Sequence, residues 1–144
     1  MKTFVKIGKA INLAMCMALV LTLAAGCSKD DNDPRDAYVG TFTVIDKATI
    51  DGTIRSQTHN ISITKSSLNP NDILISNPLD FGAGISVNAI VSGNTFVIPQ
   101  QTVSSEMVGL SGSGARDGNS LKFSILATFQ IQGQVNFTCD ASKL

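Results

Sequence analysis

Three cysteines and one histidine are the residues of this 144-residue chain with the widest chemical scope. Cys16 lies inside an apolar run, Cys27 follows two small residues, and Cys139 lies close to the C-terminus. His59 is the only histidine, so the sequence suggests no thiol–imidazole pair for nucleophilic catalysis and no set of metal ligands. We expect His59 to be an exposed strand residue and Cys139 to be a small hydrophobic residue near the last strand.

The other chemically capable residues fall in poor surroundings. Glu106, the only glutamate, sits in a polar stretch, and the aspartates lie mainly in the N-terminal tether and in turns. The stretch Gly112-Ser113-Gly114 has no following lysine and no helix to form a phosphate loop. Ser111 and Ser113 lack the Gly-x-Ser-x-Gly elbow of hydrolases. The sequence therefore predicts no catalytic residue, no metal and no cofactor, and we expect that the protein is not an enzyme.

The N-terminus carries a leader. Lys2, Lys6 and Lys9 precede the almost wholly apolar residues 10–25, and small residues end the run. This layout is typical of a secretory signal peptide, and the run is too short for a comfortable bilayer crossing. We predict that residues 1–26 are a signal peptide.

The stretch Leu23-Ala24-Ala25-Gly26-Cys27 resembles the lipobox of bacterial lipoproteins, with Ala24 where leucine is preferred. The resemblance implies that the Cys27 sulfur receives a diacylglyceryl group, that cleavage precedes Cys27, and that a fatty acid such as palmitate acylates the new N-terminus. Two or more acyl chains hold a protein stably on a bilayer. Cys27 is therefore the predicted membrane anchor. The alternative is an ordinary cleaved leader followed by an incidental cysteine.

Residues 27–36 then form a predicted lipidated acidic tether. Ser28, Lys29, Asp30 and Asp31 resemble the export signal that follows the lipidated cysteine in surface lipoproteins of Bacteroidota. That resemblance implies an outer-membrane location facing the cell exterior, whereas a plain solvated linker is the alternative. The aspartates do not match a calcium-binding EF-hand loop, because Arg35 falls where the third ligand should be.

Charge and cysteine count narrow the function classes further. After loss of the leader the chain keeps eight basic and 11 acidic residues, a net charge of about −3. This mildly acidic balance argues against nucleic acid as a partner. Cys139 would be the one cysteine without a predicted role, so we expect no disulfide within the mature domain. The remaining length predicts a single domain over residues 37–144.

Strand-forming residues dominate from Ala37 onward, and turn residues interrupt them every 8–12 positions. Pro99 is predicted to end the fifth strand, and a turn is predicted near Gln132-Gly133. The odd-numbered positions from Leu121 onward, Ile131 included, are predicted to share one apolar face. The eight predicted strands span residues 38–45, 54–65, 73–76, 85–91, 95–98, 108–114, 121–129 and 134–139.

Eight strands with one apolar face each are best satisfied by closing the sheet, which removes the exposed edges. We therefore predict an all-β fold, an antiparallel eight-stranded up-and-down barrel that is lipocalin-like and has few or no helices. Side chains just fill such an interior, or leave room for one small ligand. The predicted core consists of Phe42, Val44, Ile61, Ile63, Val87, Phe96, Ile98, Leu110, Phe123, Ile125 and Phe137.

The stretch Tyr38-Val39-Gly40-Thr41-Phe42 resembles the opening of lipocalins and other calycins, whose Gly-x-Trp motif closes the barrel floor. Here Phe42 replaces the tryptophan, and the last strand lacks the arginine that usually stacks on it. The fuller pattern is similar to small lipocalin-like surface lipoproteins of Bacteroidota, through Ile63-Thr64-Lys65-Ser66, Ile75-Ser76-Asn77, residues 91–101 and Gly112-Ser113-Gly114.

Two functions remain open from the sequence. The first is a membrane-anchored barrel that binds a small apolar or amphipathic ligand. The second is a filled barrel that acts through its surface, as an interaction protein or accessory structural subunit of an outer-membrane assembly. The interior discriminates between them: an open apolar cavity of about 300 Å³ or more favours the first, and a packed core favours the second.

Overall fold

The computed structural model describes residues 32–82, 84–103 and 107–144, and within them the chain forms one closed antiparallel barrel. Eight strands follow one another in sequence order around the barrel, and the last pairs with the first. The predicted eight-stranded up-and-down barrel is thus confirmed. The strands are β1 (Gly40–Ile50), β2 (Thr53–Lys65), β3 (Asp72–Ser76), β4 (Ser86–Ser92), β5 (Thr95–Gln101), β6 (Met107–Asp117), β7 (Ser120–Phe129) and β8 (Gly133–Lys143).

The described helical segments are two 3-10 turns, Pro34–Ala37 before β1 and Pro78–Asp80 between β3 and β4. Neither is long or apolar enough to cross a membrane as a helix. Because connections alternate between the two ends of an up-and-down barrel, the ends differ in what they carry. One end carries the start of β1, the end of β8 and the turns after β2, β4 and β6, and we call it the closed end. The opposite end is the open end.

The inward faces of the strands form the core, as the two-residue alternation predicts. Ten of the eleven predicted core residues are buried, and Phe137 is half-buried. Tyr38, which precedes β1, is also fully buried, together with Ile73 and Ile75 of β3 and Leu121 of β7. The apolar core therefore reaches all eight strands.

Aromatic side chains plug the closed end. The rings of Tyr38 and Phe96 meet edge to face at 5.9 Å between centroids, and Phe96 lies 5.9 Å from Phe123. The Tyr38 hydroxyl donates to the carbonyl of Gly93 at 3.0 Å, and the Arg116 guanidinium lies 5.9 Å from the Tyr38 ring centroid. The tyrosine ring is packed and its hydroxyl is hydrogen-bonded, as is normal for a buried tyrosine.

Gly114 of β6 makes room for this plug. A Cβ at this position would lie 2.6 Å from the Phe96 ring and would also collide with Phe123. At Gly112 a Cβ would collide with the backbone carbonyl of Ser124 on β7. Both glycines therefore permit close approach by a neighbour, one of the two uses of strand glycine.

The last strand lacks the arginine of the motif that the first strand resembles, and a lysine places a cation beside Phe42 instead. Lys143, the last residue of β8, lies over the ring of Phe42 with its Nζ 5.9 Å from the ring centroid. The pair seals the junction of β1 and β8 at the closed end, where Leu144 N also donates to Thr41 O at 2.9 Å.

The N-terminal 3-10 turn is tied to the turn after β2. Arg35 Nη1 donates to the carbonyls of Ser66 and Asn69, at 3.2 and 3.0 Å. The same guanidinium hydrogen-bonds to Asp33 and holds the pKa of that carboxyl well below its usual range. The Lys65 ammonium adds a contact to Asp33 at 3.0 Å. The chain thus enters the barrel at the closed end.

Three local predictions were wrong. Pro99 does not end β5, which continues to Gln101, because a shift of register between Ile98 and Gln101 accommodates a residue without an N–H. The last strand extends to Lys143 instead of stopping at Cys139. Ile131 does not face inward; it is 97% exposed because it lies in the turn between β7 and β8.

Candidate ligand-binding site

A cavity of about 640 Å³ occupies the open end of the barrel. Apolar side chains from β1, β8 and the loop after β3 form part of its wall, and polar side chains form the rest, two carboxylates and a guanidinium among them. The lining residues are Asp46, Ala48, Ile50, Arg55, Ser56, Gln57, Leu79, Asp80, Phe81 and Phe137. The cavity is thus bounded by β1, β2, β8 and the loop after β3, on one side of the open end.

The polar side chains of the wall come mainly from the parts of β1 and β2 nearest the open end. On β1 the inward series Phe42, Val44, Ala48 is interrupted by one acid, Asp46. Asp46 is opposite Gln57 on β2, and Ala48 is opposite Arg55. Because side chains alternate along a strand, Arg55 and Gln57 share the inward parity of Ile61 and Ile63. The inward face of β2 thus changes from apolar to polar towards the open end.

Asp46 lies at the floor of the cavity, and its side chain is 2% exposed. Its Oδ2 has two long contacts, to Gln57 Nε2 at 3.4 Å and to His59 Nδ1 at 3.3 Å. Among the described residues, no group forms a hydrogen bond to its Oδ1. A buried carboxylate usually has several good hydrogen bonds, so this under-coordination requires an explanation.

His59 is buried against Asp46, and the expectation of an exposed strand residue was wrong. Its side chain is only 5% exposed, because His59 shares the inward parity of Ile61 on β2. Neither ring nitrogen forms a hydrogen bond of good geometry with the described residues. The imidazole lies beside the carboxylate, as in acid–base pairs, but the cavity wall is formed by Asp46 and not by His59.

Cys139 of β8 is the cross-strand neighbour of Asp46 on the other side of β1. Its burial and the nearby Asp46 carboxylate raise the pKa of the Cys139 thiol well above its usual range. A thiol held in the neutral form is a poor nucleophile. The expectation of a small buried hydrophobic residue is therefore confirmed for Cys139.

The loop after β3 forms one side of the cavity in an unusual backbone conformation. Asn77, Leu79 and Asp80 all have positive φ, of 59°, 55° and 57°. Such conformations cost about 1–3 kcal/mol each for residues other than glycine and often mark ligand sites. Leu79 is nevertheless 4% exposed, and Gln57 Nε2 holds its carbonyl at 3.1 Å. Gln57 thus connects the loop to Asp46.

The predicted lipidation and export residues, Cys27, Ser28, Lys29, Asp30 and Asp31, lie outside the described residues. Within residues 32–82, 84–103 and 107–144 no group of three or more His, Cys, Asp or Glu side chains could hold a metal ion. The described site is a cavity lined mostly by side chains that the sequence did not single out.

One sequence signal could have located these side chains. The period-two pattern that placed Ile61 and Ile63 inside also places Gln57 and His59 inside if it is continued towards the turn at Asp51-Gly52. The same parity places Asp46 with Phe42 and Val44. A buried acid and a buried histidine on neighbouring strands would then have been expected to meet.

Comparison of the sequence with protein-family models found no matching family, and comparison with curated proteins found no match.

Proposed function

We propose that the protein is an outer-membrane lipoprotein whose barrel binds a small amphipathic ligand in its open end. The observation that carries the proposal is the cavity of about 640 Å³ at that end. Its volume lies within the range of small-molecule sites, and its wall combines apolar side chains with a few converging polar groups.

The backbone of the loop after β3 adds support. Leu79 and Asp80 line the cavity with positive φ, and leucine rarely adopts this conformation. Strain of this kind persists where surrounding contacts fix it, and it clusters at ligand sites. A hollow that binds no ligand would not require a strained backbone in its wall.

The anchor part of the proposal rests on the leader and on Cys27. Arg35 and Asp33 fix the start of the barrel unit at the closed end. A tether that connects Cys27 to Asp33 would therefore join the barrel at the end opposite the cavity.

Native mass spectrometry of the anchored protein, released gently from its own membranes, tests ligand binding. An adduct of constant mass beyond the acyl groups is the expected result. A bare mass, repeated after exposure to a total lipid and metabolite extract, would contradict the proposal.

Cys27→Ser tests the anchor. The variant should lose acylation and leave the membrane fraction, whereas Cys16→Ser, in the apolar part of the leader, should retain both properties. Acylated, membrane-bound Cys27→Ser protein would show that the predicted anchor is wrong.

A second function, action through the outer surface, is favoured by one observation. Ile90 and Val97 are directly opposite each other on β4 and β5, and both side chains are about half exposed, at 44% and 54%. A partner that covers this wall would remove both apolar side chains from water. Ile90→Ser combined with Val97→Ser should weaken co-purification of a partner under this function, and it should leave the ligand adduct intact under the first.

A further inference from the structure

We infer that Asp46 is the recognition point for a protonated amine, so that the ligand class is a small amphipathic cation. The inference rests on the proposed ligand-binding function and specifies the chemistry of that site. Its basis is a buried carboxylate in the cavity wall whose hydrogen bonds to the described residues are long or weak, with none of good geometry at Oδ1.

First, Asp46 differs in its hydrogen bonds from the other buried carboxylate, Asp72. Asp72 at the closed end is also nearly buried, at 6% exposure, but its Oδ2 accepts from Asn69 Nδ2 at 2.7 Å and Asn88 Nδ2 at 2.9 Å. The chain thus provides short hydrogen bonds for a buried acid where the acid has a structural role. Asp46 has contacts of 3.3 and 3.4 Å to its Oδ2 and a weak hydrogen bond from the Cys139 thiol.

The second step concerns charge. Within the described residues, no lysine or arginine lies within ion-pair distance of Asp46, and its nearest basic group is the His59 imidazole. The charged side chains that line the cavity are Asp46, Asp80 and Arg55, which gives an excess of one negative charge while the His59 imidazole beside Asp46 is neutral. A cationic ligand would balance this excess, whereas a carboxylate ligand would add to it. An ammonium supplies the hydrogen-bond donors that Oδ1 lacks.

The third step concerns the rest of the ligand. Ala48, Leu79, Phe81 and Phe137 provide apolar contacts between Asp46 and the mouth. A ligand that reaches Asp46 must therefore carry an apolar group next to its amine. Arg55 is positioned nearer the mouth than Asp46, two residues along the paired strands, so it does not compete for the same carboxylate.

The test uses three fluorinated probes of nearly equal shape, para-fluorobenzylamine, para-fluorobenzyl alcohol and para-fluorobenzoate. Their binding to the anchored protein in phosphatidylcholine nanodiscs is measured by fluorine NMR, with empty nanodiscs as the blank. We expect the amine to bind at least about tenfold more tightly than the alcohol and the acid, because hydrogen bonds to charged groups are the stronger ones. This comparison needs no variant and is independent of any folding defect.

Asp46→Asn should lower the affinity for the amine about tenfold or more and leave the affinity for the alcohol nearly unchanged. Asp140→Asn is the matched control, since Asp140 is an exposed acid on the outer wall of β8, next in sequence to Cys139. It should bind the amine as the unchanged protein does. Thermal unfolding of both variants verifies that they are folded.

Equal binding of amine and alcohol, or tighter binding of the benzoate, would overturn the inference and leave the ligand-binding function standing. Binding of none of the probes would overturn the inference, and a bare native mass would then remove the proposed function as well. An equal loss of amine binding in Asp46→Asn and Asp140→Asn would show that Asp46 is not the recognition point.

Discussion

The closed and open ends of the barrel are built from the same eight alternating strands, yet their interiors differ. At the closed end Tyr38, Phe96 and Phe123 interlock, and the one polar tip among them donates to the Gly93 carbonyl. At the open end the inward positions of β2 become His59, Gln57 and Arg55, and the rings of Phe81 and Phe137 line a cavity instead of filling the interior. The closed end has the composition of a stability element, whereas the open end keeps polar groups that packing does not require.

The two buried acids show the same division within a single residue type. Asp72 has short hydrogen bonds from two asparagines, while Asp46 has longer contacts and, among the described residues, no hydrogen bond of good geometry at Oδ1. Buried charges are costly unless they are paired and hydrogen-bonded. Asp46 therefore represents a cost to folding, and natural proteins often carry such a cost where function demands it.

The largest predicted change in the free energy of unfolding concerns the aromatic residues of the two ends. Phe96→Ala should destabilise the protein by about 3–5 kcal/mol, because it removes a fully buried ring and leaves a void beside Tyr38 and Phe123. Phe137→Ala should cost about 1 kcal/mol, since Phe137 is half-buried at the cavity and already faces open space. Urea unfolding measures both. Equal losses would mean that the two ends contribute alike to stability.

The second prediction sharpens the contrast between the acids. Asp46→Asn should stabilise the protein by about 1–2 kcal/mol, because it removes a poorly compensated buried charge without changing the shape of the side chain. Asp72→Asn should destabilise it by about 1 kcal/mol, since one side of a satisfied network is weakened. Thermal unfolding of the two variants checks the signs. A loss of stability in Asp46→Asn would assign Asp46 a structural role.

The smallest expected effect lies at Cys139, between the two regions. The folded protein raises the pKa of this thiol, so the folded state keeps its proton at a pH where the unfolded state has lost it. Stability should therefore be fully present below the ordinary thiol pKa and should fall as the pH rises above it. Cys139→Ala should remove that part of the alkaline decline.

Unfolding midpoints of the unchanged protein and of Cys139→Ala, measured between pH 7 and 10, test this prediction. Thiol labelling of the folded protein with Ellman's reagent is a second test. Rapid labelling of native Cys139 at pH 8, or an identical alkaline decline in Cys139→Ala, would contradict the assignment of a buried neutral thiol.

The sequence carried most of the fold because its signals are local. Alternation of apolar and polar residues identified the strands, and turn residues such as Asp51-Gly52 and Asp117-Gly118 separated them. Eight one-sided strands can hide their edges by closing, which β8 and β1 do. The bulge at Pro99 was missed because a bulge depends on what the partner strand offers, and this is not visible in β5 alone.

The candidate site was less accessible. Asp46, Gln57 and His59 are inward by parity, and the alternation of β1 and β2 could have indicated each of them. Their meeting depended on the register of β1 with β2, which sets Asp46 opposite Gln57. A slip of β2 by one residue against β1 would have turned Gln57 and His59 towards solvent while Asp46 stayed inside. The positive φ values at Leu79 and Asp80 had no sequence signal, because neither residue is a glycine.

The sequence by itself determined the strand count, the barrel class and most of the apolar core, since alternation and turns are signals between residues close together in the chain. The tertiary structure alone decided which end of the barrel is filled and which carries a cavity. It also decided that one buried acid has short hydrogen bonds while the other, in the cavity wall, has long or weak ones. These outcomes depend on side chains from strands far apart in sequence, and only the closed barrel brings them within contact distance.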